Sequence, residues 1–288
     1  MATDRTVTMG ATDKSAASAP KAAAKAKKKK RRSRDPLWLR VLPFLSVVVF
    51  LAIWELVVRM RDIPPIILPA PSAIADYLVR MITDGSLPYH LGITFLRILA
   101  GFAVASVLGI LIGVFMGMSR VASRVLDPWI AALYPLPKIS LIPLLIIWLG
   151  TGEAYILTIS AITAFFPVLI STYAGIRQAD QGLVRAARDL GANERQVQMK
   201  VIIPAAIPSI FAGLDLGMGV TIILVVAAEM IGGSNQGGVG YMLIRFGQVM
   251  ETEKVFAALI ALAVFGGVII KTQEWIEHRI APWAAGQK

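Results

Sequence analysis

Six apolar runs of about twenty residues constrain this chain more than any other feature, because a hydrocarbon layer roughly 30 Å thick takes about 20 helical residues to cross. They cover residues 41–58, 98–118, 125–149, 154–176, 207–231 and 255–272. Only 16% of the 288 residues are charged and 56% are hydrophobic. Soluble domains carry roughly 25% charged residues. The pattern predicts an all-α integral membrane protein of about six transmembrane helices, and the lipid bilayer as its first partner.

The net charge of +11 is concentrated at one end. Residues 1–40 hold twelve Lys/Arg against three Asp, whereas residues 41–288 hold 17 basic and 15 acidic residues. A polybasic stretch ahead of a first span acts as a topology signal, so nucleic-acid binding is not expected. Residues 1–40 are expected to be a disordered cytoplasmic tail, 41–280 the membrane domain and 281–288 a second short tail.

With six spans, both termini lie on one side. Ten Lys/Arg fall in the connections and terminus on that side, from Arg120 to Lys288. Five fall on the other: Arg59, Arg61, Arg80, Arg245 and Lys254. The positive-inside rule then puts both termini in the cytoplasm.

Between the first two spans, Ser72 is placed to cap an amphipathic helix over 72–81, with Ile74, Tyr77, Leu78 and Met81 on one face. Gly109, Gly113 and Gly117 recur at four-residue spacing, which lets a neighbouring backbone approach closely. The third run is interrupted by Pro128, Pro135, Pro137 and Pro143. Such breaks at membrane depth survive only inside protein or beside a water-filled cavity.

Ionisable residues within spans are costly and become functional candidates. Lys138, beside Pro137, is a candidate for the translocation pathway. The other reading pairs it with a carboxylate or a helix-end carbonyl, where it would hold the broken helix. Asp215 and Glu229 are 14 residues apart, close to four helical turns, so they share a face as gate or interface candidates. His90 and His278 are isolated, and with no cysteine in the chain neither a metal site nor a catalytic triad is expected.

The most informative segment is 177–204. Asp180 is a good N-cap, and Leu183, Ala186, Ala187 and Leu190 follow at helical spacing. Gly191 is placed to end that helix in a left-handed conformation. Asn193 and Gln196 form a capping box for a second short helix. The sequence thus predicts two short helices with a small-residue face suited to docking into a groove on another protein.

This segment resembles the cytoplasmic loop of ABC importer permeases, which reads E-A-A, three residues, G, nine residues, I-x-L-P. The corresponding residues are Arg185-Ala186-Ala187, Gly191 and Val201-Ile202-Ile203-Pro204. The spacing matches throughout, and only Arg185 departs in charge. The likeness extends over most of residues 60–275. It is strongest to the nitrate/sulfonate/taurine/bicarbonate branch, in 68–72, in 134–143 with 149–152, and in 228–230 with 238–241.

The resemblance implies a type I ABC importer-like permease, not an enzyme. Arg185, Ala186, Ala187, Asp189, Gly191 and Pro204 would couple to a separate ATPase. It also implies a permease dimer, most simply a homodimer, and a periplasmic or lipid-anchored solute-binding protein that delivers a small oxyanion. ATP and Mg would belong to the partner, since this chain has no G-x-x-x-x-G-K-[S/T] and no cofactor of its own. The alternatives are an ion-gradient-driven transporter or an ABC permease for a non-anionic solute such as a thiamine-precursor pyrimidine.

Overall fold

A computed structural model describes residues 37–232 and 237–282. The tail expected over 1–40 therefore lies mostly outside the described residues, as does most of that over 281–288. The chain divides between Val48 and Val49 into two units. The described part of the first is the beginning of helix α1 (Leu37–Met60), whose Val41, Leu42, Phe44 and Leu45 are all exposed. An apolar helix with an exposed apolar surface is a helix solvated by lipid.

The second unit continues through helices α2 (Pro71–Thr83), α3 (Ser86–Met118), α4 (Arg120–Leu133), α5 (Ile142–Leu149) and α6 (Glu153–Arg177). After these come α7 (Gln181–Asp189), α8 (Glu194–Val197), α9 (Ile203–Ile231), α10 (Val239–Gln248) and α11 (Thr252–Ile280). Among the described residues, five helices are long and apolar enough to cross a membrane: α1, α3, α6, the run from α8 through α9, and α11. The segment from Arg120 to Leu149 makes a sixth when its two bent halves are counted as one span.

That segment holds the four prolines, and it turns by 84° between Leu133 and Lys138. A short 3-10 turn, Lys138–Leu141, then leads into α5. With eight residues, α5 is only about 12 Å long, far short of the bilayer. The third run is thus two helices and a break, as its prolines demand.

Helix α6 lies at the centre, packed on α3 along one face and on α9 along another. The glycines explain the closeness of both contacts. A Cβ at Gly113 would sit 2.7 Å from the Thr172 Cβ and 2.8 Å from the Leu169 carbonyl, and one at Gly109 would sit 3.0 Å from Val168. On the α9 side, a Cβ at Gly213 would lie 2.6 Å from Ser171. Because backbone stands at Gly113, Gly113→Leu forces the helices apart. It is expected to cost about 1–3 kcal/mol and to lower the unfolding temperature of the purified protein in detergent.

Two boundaries differ from expectation. Helix α2 begins with Pro71 at its first turn, and its N-cap is Ala70 rather than Ser72. Ser72 instead donates through its hydroxyl and its backbone N–H to Glu55 at 2.8 and 3.0 Å. Helix α3 starts at Ser86, twelve residues ahead of the apolar run; of the residues this adds, Leu87, Thr94 and Arg97 are buried, while Tyr89, Phe95 and Leu96 are exposed.

Candidate functional site

Two constructions stand out at the two ends of α9. The first is the loop before it. Asp180 accepts from the Gly182 N–H at 2.7 Å and starts α7. The helix closes with Gly191 at φ +86°, the Gly191 N–H donating to the Arg188 carbonyl (2.9 Å) and the Ala192 N–H to the Ala187 carbonyl (3.0 Å). This is a full Schellman closure, which needs a left-handed residue at that position.

The second cap follows at once. Asn193 accepts from the Gln196 N–H, and the Gln196 side chain accepts from the Asn193 N–H, both at 2.9 Å. Arg188 bridges to Glu194 at 3.0 Å across the turn, an exposed pair of small energetic weight. Val184 and Val197 are buried and anchor the loop. Leu183 and Leu190 face outward, 56% and 88% exposed, with exposed Ala186 between them. Arg185 and Asp189 are exposed as well, and Pro204 occupies the first turn of α9.

The expectation of two separate short helices needs correction. Only α7 stands alone. Helix α8 passes through a π-helical turn, Gln198–Ile202, straight into α9, so Glu194–Ile231 is one 38-residue rod. The extra residue of a π turn leaves no mark on apolar periodicity, so the sequence does not announce it.

The second construction is a buried polar cluster at the other end of the rod. Arg97 on α3 is 2% exposed and Glu229 on α9 is fully buried. The Arg97 Nη1 donates to Glu229 Oε1 and to the Gly237 carbonyl, each at 2.8 Å. Its Nε donates to Glu153 Oε2 at 2.8 Å, and Nη2 bonds the other oxygen of that carboxylate, a bidentate grip on the start of α6.

Glu229 also accepts from the Gly240 N–H at 2.9 Å, and Thr94 Oγ1 lies 3.0 Å from both its oxygens. Thr94 in turn accepts from the Val239 N–H at 2.8 Å. His90 Nδ1 accepts from the Gly238 N–H at 3.0 Å, so His90 belongs to the edge of this cluster rather than standing isolated. A side chain at Gly238 would run into the Glu229 carboxylate, and one at Gly240 into the Val226 carbonyl and the Glu229 Cβ. Those glycines let the backbone of 237–240 fold directly onto the ion pair.

Asp215 and Glu229, expected on one face of the helix, bond to different neighbours. Asp215 accepts from Gln273 on α11 at 3.0 Å, whereas Glu229 is held by α3. With no exposed surface, Glu229 does not line an open passage in this state. Lys138 donates to the carbonyl of Tyr134, the residue that caps α4, and its ammonium lies 5.0 Å from the Tyr134 and Phe166 ring centroids. It therefore holds the helix end at the break, next to Pro137. The same lysine lines a cavity of about 490 Å3 whose other walls are apolar, among them Leu108, Ile112, Leu141 and Phe165.

Lipid-length helices, α3 and α9 packed on α6, with a proline-broken segment and a capped helix displayed ahead of α9, define the class of a polytopic membrane protein. The chain belongs to the family described as binding-protein-dependent transport system inner membrane component, whose model matches residues 105–282. It is the permease subunit of an ABC importer and a multi-pass protein of the inner membrane.

Among its relatives is a Bacillus subtilis protein named for aliphatic sulfonates transport, the permease SsuC. It is 35% identical over 93% of this chain and 96% of its own length. The taurine transport system permease protein TauC of Escherichia coli is 32% identical over 83% of this chain and 88% of its own. An ABC transporter permease of Methanocaldococcus jannaschii is 36% identical over 84% and 90%. A crystal structure titled as an amino acid ABC transporter with histidines shares the fold, at TM-score 0.55, 21% identity and coverage of 71% of this chain and 97% of that one.

Proposed function

We propose that this permease imports a small organic oxyanion of the sulfonate type, driven by a separate ATPase that grips the loop 177–204 from the cytoplasm. The observation that carries the ATPase docking is the loop's exposed apolar ridge, Leu183–Ala186–Leu190, held on a doubly capped frame and continuous with a membrane rod. Exposed leucines along one face of a rigid helix mark a surface made to be covered by another protein. The motif residues Arg185, Ala186, Ala187, Asp189, Gly191 and Pro204 all belong to this frame. Both termini are cytoplasmic on this reading. A binding protein delivers the solute from outside, and two copies of the permease enclose the pathway.

The names of the relatives, together with Lys138, support the choice of solute. An ammonium has three N–H donors, and among the described residues Lys138 directs one to Tyr134. The remaining charge in the wall of an apolar cavity suits an anionic head with an aliphatic body.

Uptake by proteoliposomes holding the full complex tests the proposal. ATP-dependent accumulation of an alkanesulfonate is expected, abolished when the ATPase is made catalytically inactive. Accumulation that follows an ion gradient without ATP would refute it. Lys138→Met is expected to lower alkanesulfonate uptake by about tenfold, the scale of one lost charge-assisted hydrogen bond. Unchanged uptake by assembled Lys138→Met complexes would remove the lysine from the pathway.

A further inference from the structure

The capped loop and the buried polar cluster sit at opposite ends of one rigid element. From Glu194 to Ile231 the chain stays helical, through the π turn at Gln198–Ile202 and past Pro208, a length of about 57 Å. The loop offered to the motor is fastened to its near end. At its far end, Glu229 is tied through Arg97 to Glu153, the first residue of α6. Glu153 follows directly on Gly150–Gly152, where the broken segment ends. Arg97 is thus the one described side chain that bonds both the rod and the exit of the broken segment. Tyr155, two residues on, donates to the Ala228 carbonyl at 3.0 Å and reinforces the same junction.

We propose that Arg97, Glu229 and Glu153 form a mechanical joint that positions the broken segment according to the tilt of the rod, and so delivers motion from the coupling loop to the pathway. The inference rests on the ATPase-driven reading of that loop. Three features distinguish the cluster from a simple stability device. It joins three helices and the 237–240 segment rather than pairing two neighbours. Its arginine is directional, with Nη1 serving the rod and the Gly237 carbonyl while Nε and Nη2 serve α6. Its outer member Glu153 is 45% exposed at its side chain, so burial does not require that ion pair; its position at the end of the break gives it a use. A lever needs a stiff link at its working end, and Arg97 supplies one through a bidentate grip on the part-exposed Glu153 and a single charge-assisted bond to the buried Glu229.

These three are positioning residues, and the informative quantity is solute moved per ATP hydrolysed in the complete complex. Arg97→Lys keeps the charge and loses the fork. Glu229→Gln keeps the shape and loses the charge. Glu153→Gln alters the partly exposed partner and leaves the buried pair intact, so it folds even where the others do not. In proteoliposomes with ATPase and binding protein, assembly and binding-protein-stimulated hydrolysis are expected to stay within about twofold of wild type for Glu153→Gln. Alkanesulfonate moved per ATP is expected to fall by about tenfold. A role in stability alone would lower the amount of complex and leave that ratio unchanged. An unchanged ratio in assembled Glu153→Gln and Arg97→Lys complexes overturns the joint. Wild-type uptake that needs no ATP would instead overturn the functional reading beneath it.

Discussion

Replacing Gly191 by valine is expected to abolish nearly all coupled uptake while leaving the membrane domain folded. Gly191 sits at φ +86°, and a Cβ there would meet nothing within 4 Å. The penalty is therefore confined to the backbone. A left-handed conformation costs an ordinary residue about 1–2 kcal/mol, and a β-branched one is an outlier there. The cheapest response is to abandon the Schellman closure, which releases the Ala187 and Arg188 carbonyls and swings α7 away from α8. The motor then pushes on a loose handle. Uptake should drop by about tenfold or more, with hydrolysis by the ATPase preserved. Gly191→Asn, which tolerates the left-handed region, should retain most of the activity. Assays of the two variants side by side check both halves of the argument.

The second large effect concerns stability. Arg97→Met should destabilise the protein more than Glu229→Gln does. Removing the guanidinium strands the fully buried Glu229 carboxylate with only Thr94 and one backbone N–H for company. Breaking a buried pair from one side in this way costs about 3–5 kcal/mol. Removing the Glu229 charge leaves Arg97 still clasped by Glu153, so the loss is nearer 1–3 kcal/mol, about the cost of one buried group left without its partner. The double variant, Arg97→Met with Glu229→Gln, should lose less than the sum of the singles, because it leaves no bare charge buried. Unfolding in detergent, followed for the two singles and the double, gives the comparison. Strict additivity would mean the two side chains do not interact energetically.

What can be read from the sequence divides along a physical line. The loop before α9 is legible almost residue by residue. Asp180, Gly191, Asn193 and Gln196 act on neighbours at most five positions away, through cap and turn chemistry that has fixed preferences. The break after Leu133 is equally legible, since prolines act locally. The close approach of α3 to another helix follows from Gly109, Gly113 and Gly117, although which helix it meets does not.

The polar cluster is not legible. Arg97 and Glu229 are 132 positions apart, and each reads in the sequence only singly, as a charge in a span that is costly to bury, with nothing to join the two. A weak signal does exist in Gly238 and Gly240 following Glu229, glycines whose lack of side chains makes room for a carboxylate. Ser72 fails as a cap for a similar reason. A tertiary partner, Glu55, claims the hydroxyl that local chemistry would give to the helix.

The sharpest test of the coupling claim is a single crosslink. The chain contains no cysteine, so Leu190→Cys places one reporter at the most exposed point of the apolar ridge. In intact membranes holding the complete transporter, this residue is predicted to crosslink to the ATPase subunit and to resist a membrane-impermeant maleimide added from outside. Ready labelling from outside, with no crosslinked product, would contradict it.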